Sequence, residues 1–510
     1  MRTLSSYLRG SWQTPSGDGR ITLVNPATSE AIAEVGRASD LDKAVAYARS
    51  EGGPALRAMT YQARGEQLKQ LARLLHEHRE HLIAVAVESG GNTRGDAKFD
   101  IDGATGVLAS YARLGAELGE SPWIVEDDAT PVMRASKIRV QHVLSPRRGI
   151  AVHINAFNFP AWGMAEKAAV AWLAGVPVMS KPGTATCALS VRIAELWVES
   201  GLLPAGAFSL LTGSIGDLLD HVGPQDCVAF TGGSETGRVV RGHPAIVRHN
   251  VRVNIEADSL NASILGPDVE PGSDTFQMFL NDVTRDLIQK AGQKCTAVRR
   301  IFVAADRVEE TVEALTDRMS RVVVGDPGEK GTEIGPVASP SQHRNVSAGI
   351  AELEKVAKVA WRAEAPGGGC FVTPTLFRAD GADIPYVHEH EVFGPVATVL
   401  PWSGDADELV QLVSRGGGGL VCSVYSDDLA WAGPVVLGLA PWHGRILWGS
   451  AKVHDQSPGP GTVLPNLVHG GPGKAGGGEE LGGQRGLAFY CQRTAIQADR
   501  GLLDRVLGKA

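Results

Sequence analysis

Between residues 149 and 256, strand-like and helix-like runs alternate five times, and no other feature of the 510-residue chain restricts its fold as tightly. Short apolar runs at 150–154, 176–181, 207–213, 226–232 and 250–256 have the length of buried strands. Helical patterns fill 161–174, 184–201, 215–222 and 234–242 between them. Such alternation predicts a parallel sheet with helices on both faces. Open parallel sheets bind ligands beyond the carboxyl ends of their strands, so chemistry is expected in the turns that follow.

The rest of the chain reads around that block. The first 37 residues suggest short strands and turns. Residues 40–50 suggest a helix with an acidic cap, 62–91 one or two amphipathic helices ending at Gly90 and Gly91, and 99–118 another helix. His76, His78 and His81 lie among charges and read as a solvated helix face rather than a metal site. Residues 132–148 alternate apolar and polar, as in a hairpin closed by Arg147 and Arg148, with too little core to stand alone. A second alternating region spans 260–455. Gly and Pro accumulate at 414–419 and 457–483, which read as loops, and 485–496 reads as an edge strand.

Composition removes several function classes. A net charge of −8 gives no basic footprint, so nucleic acid is not an expected partner. Six cysteines without regular spacing make neither a disulfide framework nor a recognisable metal site, so no metal is expected and a reducing compartment fits. The first residues lack the apolar core of a signal peptide, and the longest apolar run, 168–179, is too short to span a bilayer. A soluble, cytoplasmic protein is expected.

Five positions could carry chemistry, each with a plainer alternative. Cys295 lies in the turn 291-AGQKCTAVRR-300 between a helical pattern and a strand. With Lys294 beside it, the thiol could sit in positive surroundings and act as a nucleophile, or it could be an inert buried thiol. Asn158, after the first strand, is an oxyanion donor or a helix cap. Lys181 contacts a ribose or phosphate, or is a solvated turn. The run 230-FTGGSETG-237, with Gly232, Gly233 and Gly237, lets a pyrophosphate approach a helix start, or is an ordinary turn. Glu256 is a general base or a structural ion-pair partner.

Taken together, and with 391-EVFGP-395, these motifs stand in an order and spacing that resembles the aldehyde dehydrogenase superfamily from about residue 7 to 497. The resemblance implies an α/β fold: a Rossmann-like cofactor domain (1–131 and 149–257), an α/β catalytic domain (258–455), a β oligomerisation arm (132–148 and 484–497) and a Gly-rich loop (456–483) near the active site. It implies Cys295 as nucleophile, Asn158 with the Cys295 N–H as oxyanion hole, and Glu256 as base for the deacylating water. Lys167 and Glu480 fall where related enzymes carry a proton-relay pair. Ile154, Lys181, Thr184, the three glycines, Glu391 and Phe393 are implied in cofactor binding, Glu391 at the nicotinamide ribose.

The departures narrow the resemblance. Thr184 stands where the family usually has a glutamate for the ribose 2′-hydroxyl of NAD. Removing that charge favours a 2′-phosphate, so NADP is expected over NAD. The runs 256-EADSLN-261, 264-ILGPD-268 and 469-HGGPGKAGGGEELGG-483 resemble the branch that oxidises CoA-linked semialdehydes in aerobic aromatic degradation. A homodimer is expected, with a tetramer as the alternative. The competing activities are transfer of the acyl group to free CoA and, from another class, cysteine hydrolysis.

Overall fold

The computed structural model describes residues 2–15, 19–478 and 481–508. The alternating block forms five parallel strands of a seven-stranded sheet. Its order is Arg252–Glu256, Cys227–Thr231, Ala151–Ile154, Val178–Lys181, Phe208–Leu210, then Ser6–Leu8 and Ser11–Gln13 at one edge. The chain starts at Ala151–Ile154, builds outward on one side, then returns to build on the other. The order therefore reverses between Ala151–Ile154 and Cys227–Thr231. Helices diverge at such a point, and a crevice opens at the carboxyl ends of the strands.

One helix sets the depth of that crevice. Trp162–Leu173 is buried at every position from Met164 onward, because its sequence is apolar on all sides. It lies against the long helices Tyr61–Glu77 and Arg94–Leu118. Two charged residues, Glu166 and Lys167, are buried within it. A helix that hides charge in an apolar body needs partners for it at one end, and here that end faces the crevice.

A second seven-stranded sheet carries the other wall. Its order is Lys358–Arg362, Thr375–Arg378, Val396–Trp402, Val298–Ala304, Asn261–Leu265, Gly419–Tyr425 and His443–Gly449, with only the first strand antiparallel. Every residue of Val298–Ala304 and Gly419–Tyr425 is buried. That explains their near-continuous apolar runs.

The third element corrects the expected arm. The hairpin is built from Ile124–Pro131 and Ile138–Pro146, so 132–137 is the turn between its strands rather than part of a strand. The edge strand is Cys491–Asp499, while Gln484–Tyr490 is helical. The apolar residues of 485–490 face the core as a short helix, with Leu487 and Tyr490 buried, a pattern that alternation alone misreads. Asp40 does occupy the N-cap position of Leu41–Tyr47, but with a left-handed backbone, and its side chain makes no cap bond and pairs with Lys43 at 2.6 Å. The helix expected over 99–118 starts earlier, at Arg94, where Thr93 Oγ1 accepts from Asp96 N at 3.1 Å.

Behind the first sheet Trp172 meets Trp197 and Phe208 edge-on, with ring centroids 5.2 and 5.8 Å away, and its Nε1 donates to Ala207 O at 2.9 Å. Trp172→Ala should lower the unfolding free energy by about 3–5 kcal/mol, the usual range for deleting a large buried aromatic. Denaturant unfolding measures this, and a loss below about 1 kcal/mol would mean the cluster is not a packing centre.

Candidate active site

The turn that presents Cys295 is strained and held from several sides. Helix Asp274–Ile288 gives way to residues with positive φ at Lys290 (55°), Ala291 (51°) and Gly292 (66°). A non-glycine residue in this region costs on the order of 1–3 kcal/mol and persists only where its surroundings enforce it. Here Asp96 Oδ1 accepts from Lys290 N at 2.9 Å, and Gln293 Oε1 accepts from Ala338 N at 2.9 Å. The buried Arg299 guanidinium donates to Gly292 O at 2.9 Å and Lys294 O at 3.2 Å. Gly292 is required by space as well, since a Cβ there would lie 2.2 Å from Gly394 O. Asn261 Nδ2 donates to Cys295 O at 2.8 Å and to Ala297 O at 2.9 Å, which gives the 256–261 run a structural role.

Lys294 does not activate the thiol. Its ammonium is buried against Asp286 Oδ1 at 2.7 Å and Gln289 Oε1 at 2.9 Å, so its charge is neutralised within its own element. Burial, and then the negative charge of Glu256, push the Cys295 thiol up to about 11, with His469 pulling the other way. Cys295 is half-buried, and the other five cysteines, among the described residues, are buried.

Three groups converge on the thiol. Asn158, at the start of the segment leading into the buried helix, donates from Nδ2 to Gln293 O at 3.0 Å and lines the same cavity as Cys295. Glu256 ends its strand beside Thr231, whose Oγ1 donates to Glu256 Oε2 at 3.3 Å. Lys167 Nζ donates to that same Oγ1 at 2.8 Å, so a buried cation reaches Glu256 through one hydroxyl. Glu480, expected beside Lys167, lies outside the described residues.

His469 was not anticipated. It comes from the Gly-rich loop and places Nε2 3.9 Å from Cys295 Sγ and 3.1 Å from Glu256 Oε1. Its Nδ1 lies 3.6 Å from Glu166 Oε2. Burial acts against its charge, but Glu256, Glu166 and the thiol outweigh burial and raise its pKa well above the ordinary value. Burial likewise pushes Glu256 up, and His469 and then Lys167 more than reverse this, so the carboxylate is held ionised. His469 opens the run 469–483 that carries the branch resemblance, but a lone histidine in a glycine run has no periodicity that points to a role in the site.

Cys295 sits where two cavities meet. The smaller is walled by Phe99, Phe159, Trp162 and Val463, with Lys167, His469 and Glu166 at its polar end. The larger and more open one runs past Ile154, Thr184, Gly232, Gly233, Glu391 and Phe393. Asn158, Thr231, Glu256 and Cys295 line both. Lys181 stands behind this wall and donates from Nζ to Thr184 Oγ1 at 3.1 Å and Pro182 O at 2.9 Å. Gly237 packs instead on Ile255, where a Cβ would come within 3.0 Å. Asp258 accepts from Ser234 N at 3.1 Å and Ser234 Oγ at 2.5 Å, which caps the helix that follows the Gly232–Gly233 turn. Burial pushes Glu391 up to about 7, although it accepts from Arg299 Nε at 3.2 Å and Ser259 N at 3.0 Å.

A thiol, an amide, a buried carboxylate and a second cavity thus meet at one crevice, and the chain belongs to the aldehyde dehydrogenase family, whose model matches residues 12–496. Members of this family are oxidoreductases that work with a nicotinamide cofactor. Among characterised relatives, the chain is 41% identical over 479 residues to 3,4-dehydroadipyl-CoA semialdehyde dehydrogenase of Aromatoleum evansii, covering 92% of this chain and 93% of that one. Lactaldehyde dehydrogenase from Escherichia coli shares the fold with a TM-score of 0.85 at 22% identity, covering 98% of this chain and 99% of that one. Betaine aldehyde dehydrogenase from Staphylococcus aureus, solved with NAD+, shares it with a TM-score of 0.82 at 24% identity, covering 97% and 98%. Among the described residues, no helix is long and apolar enough to cross a membrane.

The raised thiol pKa has a direct readout. Alkylation of Cys295 by iodoacetamide should keep accelerating with pH and show no plateau below about pH 10, since a thiol reacts as its thiolate. Peptide mapping of the alkylated protein checks the site. A plateau near neutral pH would mean that the free thiol is already activated.

Proposed function

We propose that the protein oxidises a CoA-linked semialdehyde to the carboxylic acid with NADP, and that its substrate is 3,4-dehydroadipyl-CoA semialdehyde in aerobic benzoate degradation. The observation that carries this reading is the meeting of two cavities at Cys295 with Glu256 on the shared wall. The 41% identical relative, which carries that substrate in its name, supports the choice of aldehyde.

In this reading Cys295 gives its thiol proton to the Glu256 carboxylate, which passes it to solvent, and the thiolate adds to the aldehyde carbon. Asn158 Nδ2 and the Cys295 N–H take up the oxyanion, and losing one such donor typically raises the barrier by about 2.7–4 kcal/mol. The bound cofactor supplies the hydride acceptor, so that a thioester is left on Cys295. Glu256 then accepts a proton from water, which attacks the thioester and releases the acid and the free thiol. Lys167, acting through Thr231, keeps a positive charge behind Glu256 as that proton moves. Glu480, at the position of the family's relay partner, is proposed to accompany Lys167.

The cofactor residues fit a nicotinamide nucleotide. Glu391 is a buried carboxylate on the wall of the open cavity, next to Phe393, whose ring lies 5.4 Å from the Arg299 guanidinium carbon. Thr184 offers a hydroxyl there with the Lys181 ammonium behind it, and no carboxylate stands at that position to repel a 2′-phosphate. This supports NADP over NAD. Cys491–Asp499 pairs on one side only among the described residues, and an open strand edge is commonly covered by a second copy, so we assign a homodimer. Six cysteines that form no disulfide among the described residues fit a cytoplasmic enzyme.

A cysteine hydrolase would draw on the 3.9 Å contact between Cys295 and His469. It would have no use for the second cavity, and one assay separates the two readings: NADP reduction with CoA semialdehydes, free aldehydes and thioesters. Oxidation of the CoA semialdehyde with higher kcat/KM for NADP than for NAD is expected. Equal or better efficiency with NAD would remove the cofactor assignment. Release of acid without NADPH would establish the hydrolase.

Two variants test the covalent scheme. Cys295→Ala should lower kcat by at least about 10⁴-fold, as loss of a nucleophile does. Glu256→Gln should keep a stoichiometric burst of NADPH while slowing steady turnover by about 10²–10⁴-fold, the range for a lost general base. Turnover at the wild-type rate without a burst would exclude that role. A pH dependence follows from Glu391. Above about 7 its carboxylate is ionised and accepts stronger hydrogen bonds from ribose hydroxyls. The KM for NADP should therefore fall several-fold as pH rises from 6 to 8 on the order set by that titration, and Glu391→Gln should flatten the profile.

A further inference from the structure

Cys295 Sγ, His469 Nε2 and a Glu256 carboxylate oxygen come from three distant segments and lie within 4.8 Å of one another. Tetrahedral zinc, with bonds of about 2.3 Å to sulfur and about 2.0–2.2 Å to nitrogen and oxygen, requires ligand atoms about 3.3–3.6 Å apart. The two short edges here, 3.1 Å from Nε2 to Oε1 and 3.9 Å from Nε2 to Sγ, bracket that range. The third edge, from the carboxylate oxygen to Sγ, is no longer than 4.8 Å, so side-chain shifts of up to about 1 Å complete the geometry.

Two further observations point to a ligand at this spot. Glu256 Oε1 is buried and, despite its 3.1 Å approach to His469, has no partner in hydrogen-bond alignment. Its contact with His469 is thus an ion pair without an aligned hydrogen bond, which leaves lone pairs of this buried oxygen open to a ligand. His469 Nδ1 is also buried without an aligned hydrogen bond, and Glu166 Oε2 stands behind it at 3.6 Å, close enough to become the carboxylate partner that metal-ligating histidines use once the ring shifts. The fourth direction opens on the cavity lined by Asn158 and Phe159, where a water could complete the shell.

We propose that Cys295, His469 and Glu256 form a binding site for a borderline-soft divalent cation such as Zn²⁺, and that its occupation switches the enzyme off. On binding, the thiol proton and the imidazolium proton leave to solvent, and the cation is held by a thiolate, a neutral imidazole and a carboxylate. No electron is transferred. The two anionic ligands neutralise the dication, so the site holds the metal without leaving buried charge. Both steps of the reaction stop together, because nucleophile and base are tied to the same ion. The inhibition rests on the proposed role of Cys295, whereas the binding site itself does not.

The test therefore reads binding apart from activity. Full-length protein, reduced and freed of metal, is titrated with Co²⁺ under anaerobic conditions. A thiolate-to-cobalt absorption band should grow to one equivalent per chain, and Zn²⁺ should abolish it by displacement. Prior alkylation of Cys295 should remove the band. His469→Gln and Glu256→Gln should each weaken Co²⁺ binding by at least about tenfold, and His469→Cys should recover it, because it restores a ligating atom. Thermal unfolding of each variant separates lost ligation from lost fold, and the alkylated wild-type protein gives the answer if a variant fails to fold. In the activity arm, Zn²⁺ should inhibit NADP reduction and a chelator should reverse it. A wild-type protein with no band at millimolar Co²⁺, or a band unchanged in His469→Gln, would overturn the proposal. Failure to oxidise any aldehyde, with the band intact, would count against the proposed function and leave the metal site standing.

Discussion

The site depends on one buried guanidinium. Arg299 is the second residue of the strand after the Cys295 turn and donates to Gly292 O and Lys294 O on one side, and to Gly394 O and Glu391 on the other. It thereby ties the turn that presents Cys295 to the segment that carries Glu391 and Phe393. A buried arginine is tolerated only when its donors are satisfied, and removing one partner of such a pair typically costs about 3–5 kcal/mol. The planar fork of arginine suits this role because its donors are fixed relative to one another. The left-handed backbone at Lys290 and Ala291 is held in place by this clamp together with Asp96 and Gln293. Strain in the turn before Cys295 is thus balanced by interactions made elsewhere.

Charge around the thiol is arranged in alternation. Glu166, His469, Glu256 and then Lys167 through Thr231 run as negative, positive, negative, positive along the polar end of the smaller cavity. Glu166, Glu256 and Lys167 are buried and His469 is largely so, and each charge would be costly alone. His469 and Lys167 keep Glu256 ionised, while burial, and then the charge of Glu256, keep the resting thiol protonated. The positive neighbour in sequence, Lys294, has no part in thiol chemistry because its charge is already committed to Asp286.

Much of the fold was legible because burial on both faces of a parallel strand leaves an unmistakable apolar run. The five strands of the first sheet stand within the stretches read as strands, and the turns after them do meet at one crevice. The arm was read less well. Residues 124–131 carry Glu126, Asp127 and Asp128, and their strand character comes from pairing with 138–146 rather than from their own composition. Residues 485–490 alternate like a strand yet coil into a helix, because Leu487 and Tyr490, three apart, both reach the core.

The sequence by itself determined the parallel sheet, the family and the identity of the groups that end its strands, since these follow from short-range pattern and from motifs whose spacing is local. Only the tertiary structure decided what those groups touch. His469 reaches Cys295 across 174 residues, and Lys181 turns its ammonium to Thr184 while Lys294 turns away from the thiol. Contacts of that kind depend on how a loop closes over a crevice and on which buried charges must be paired once water is gone. Neither quantity is written in the residues next to the site.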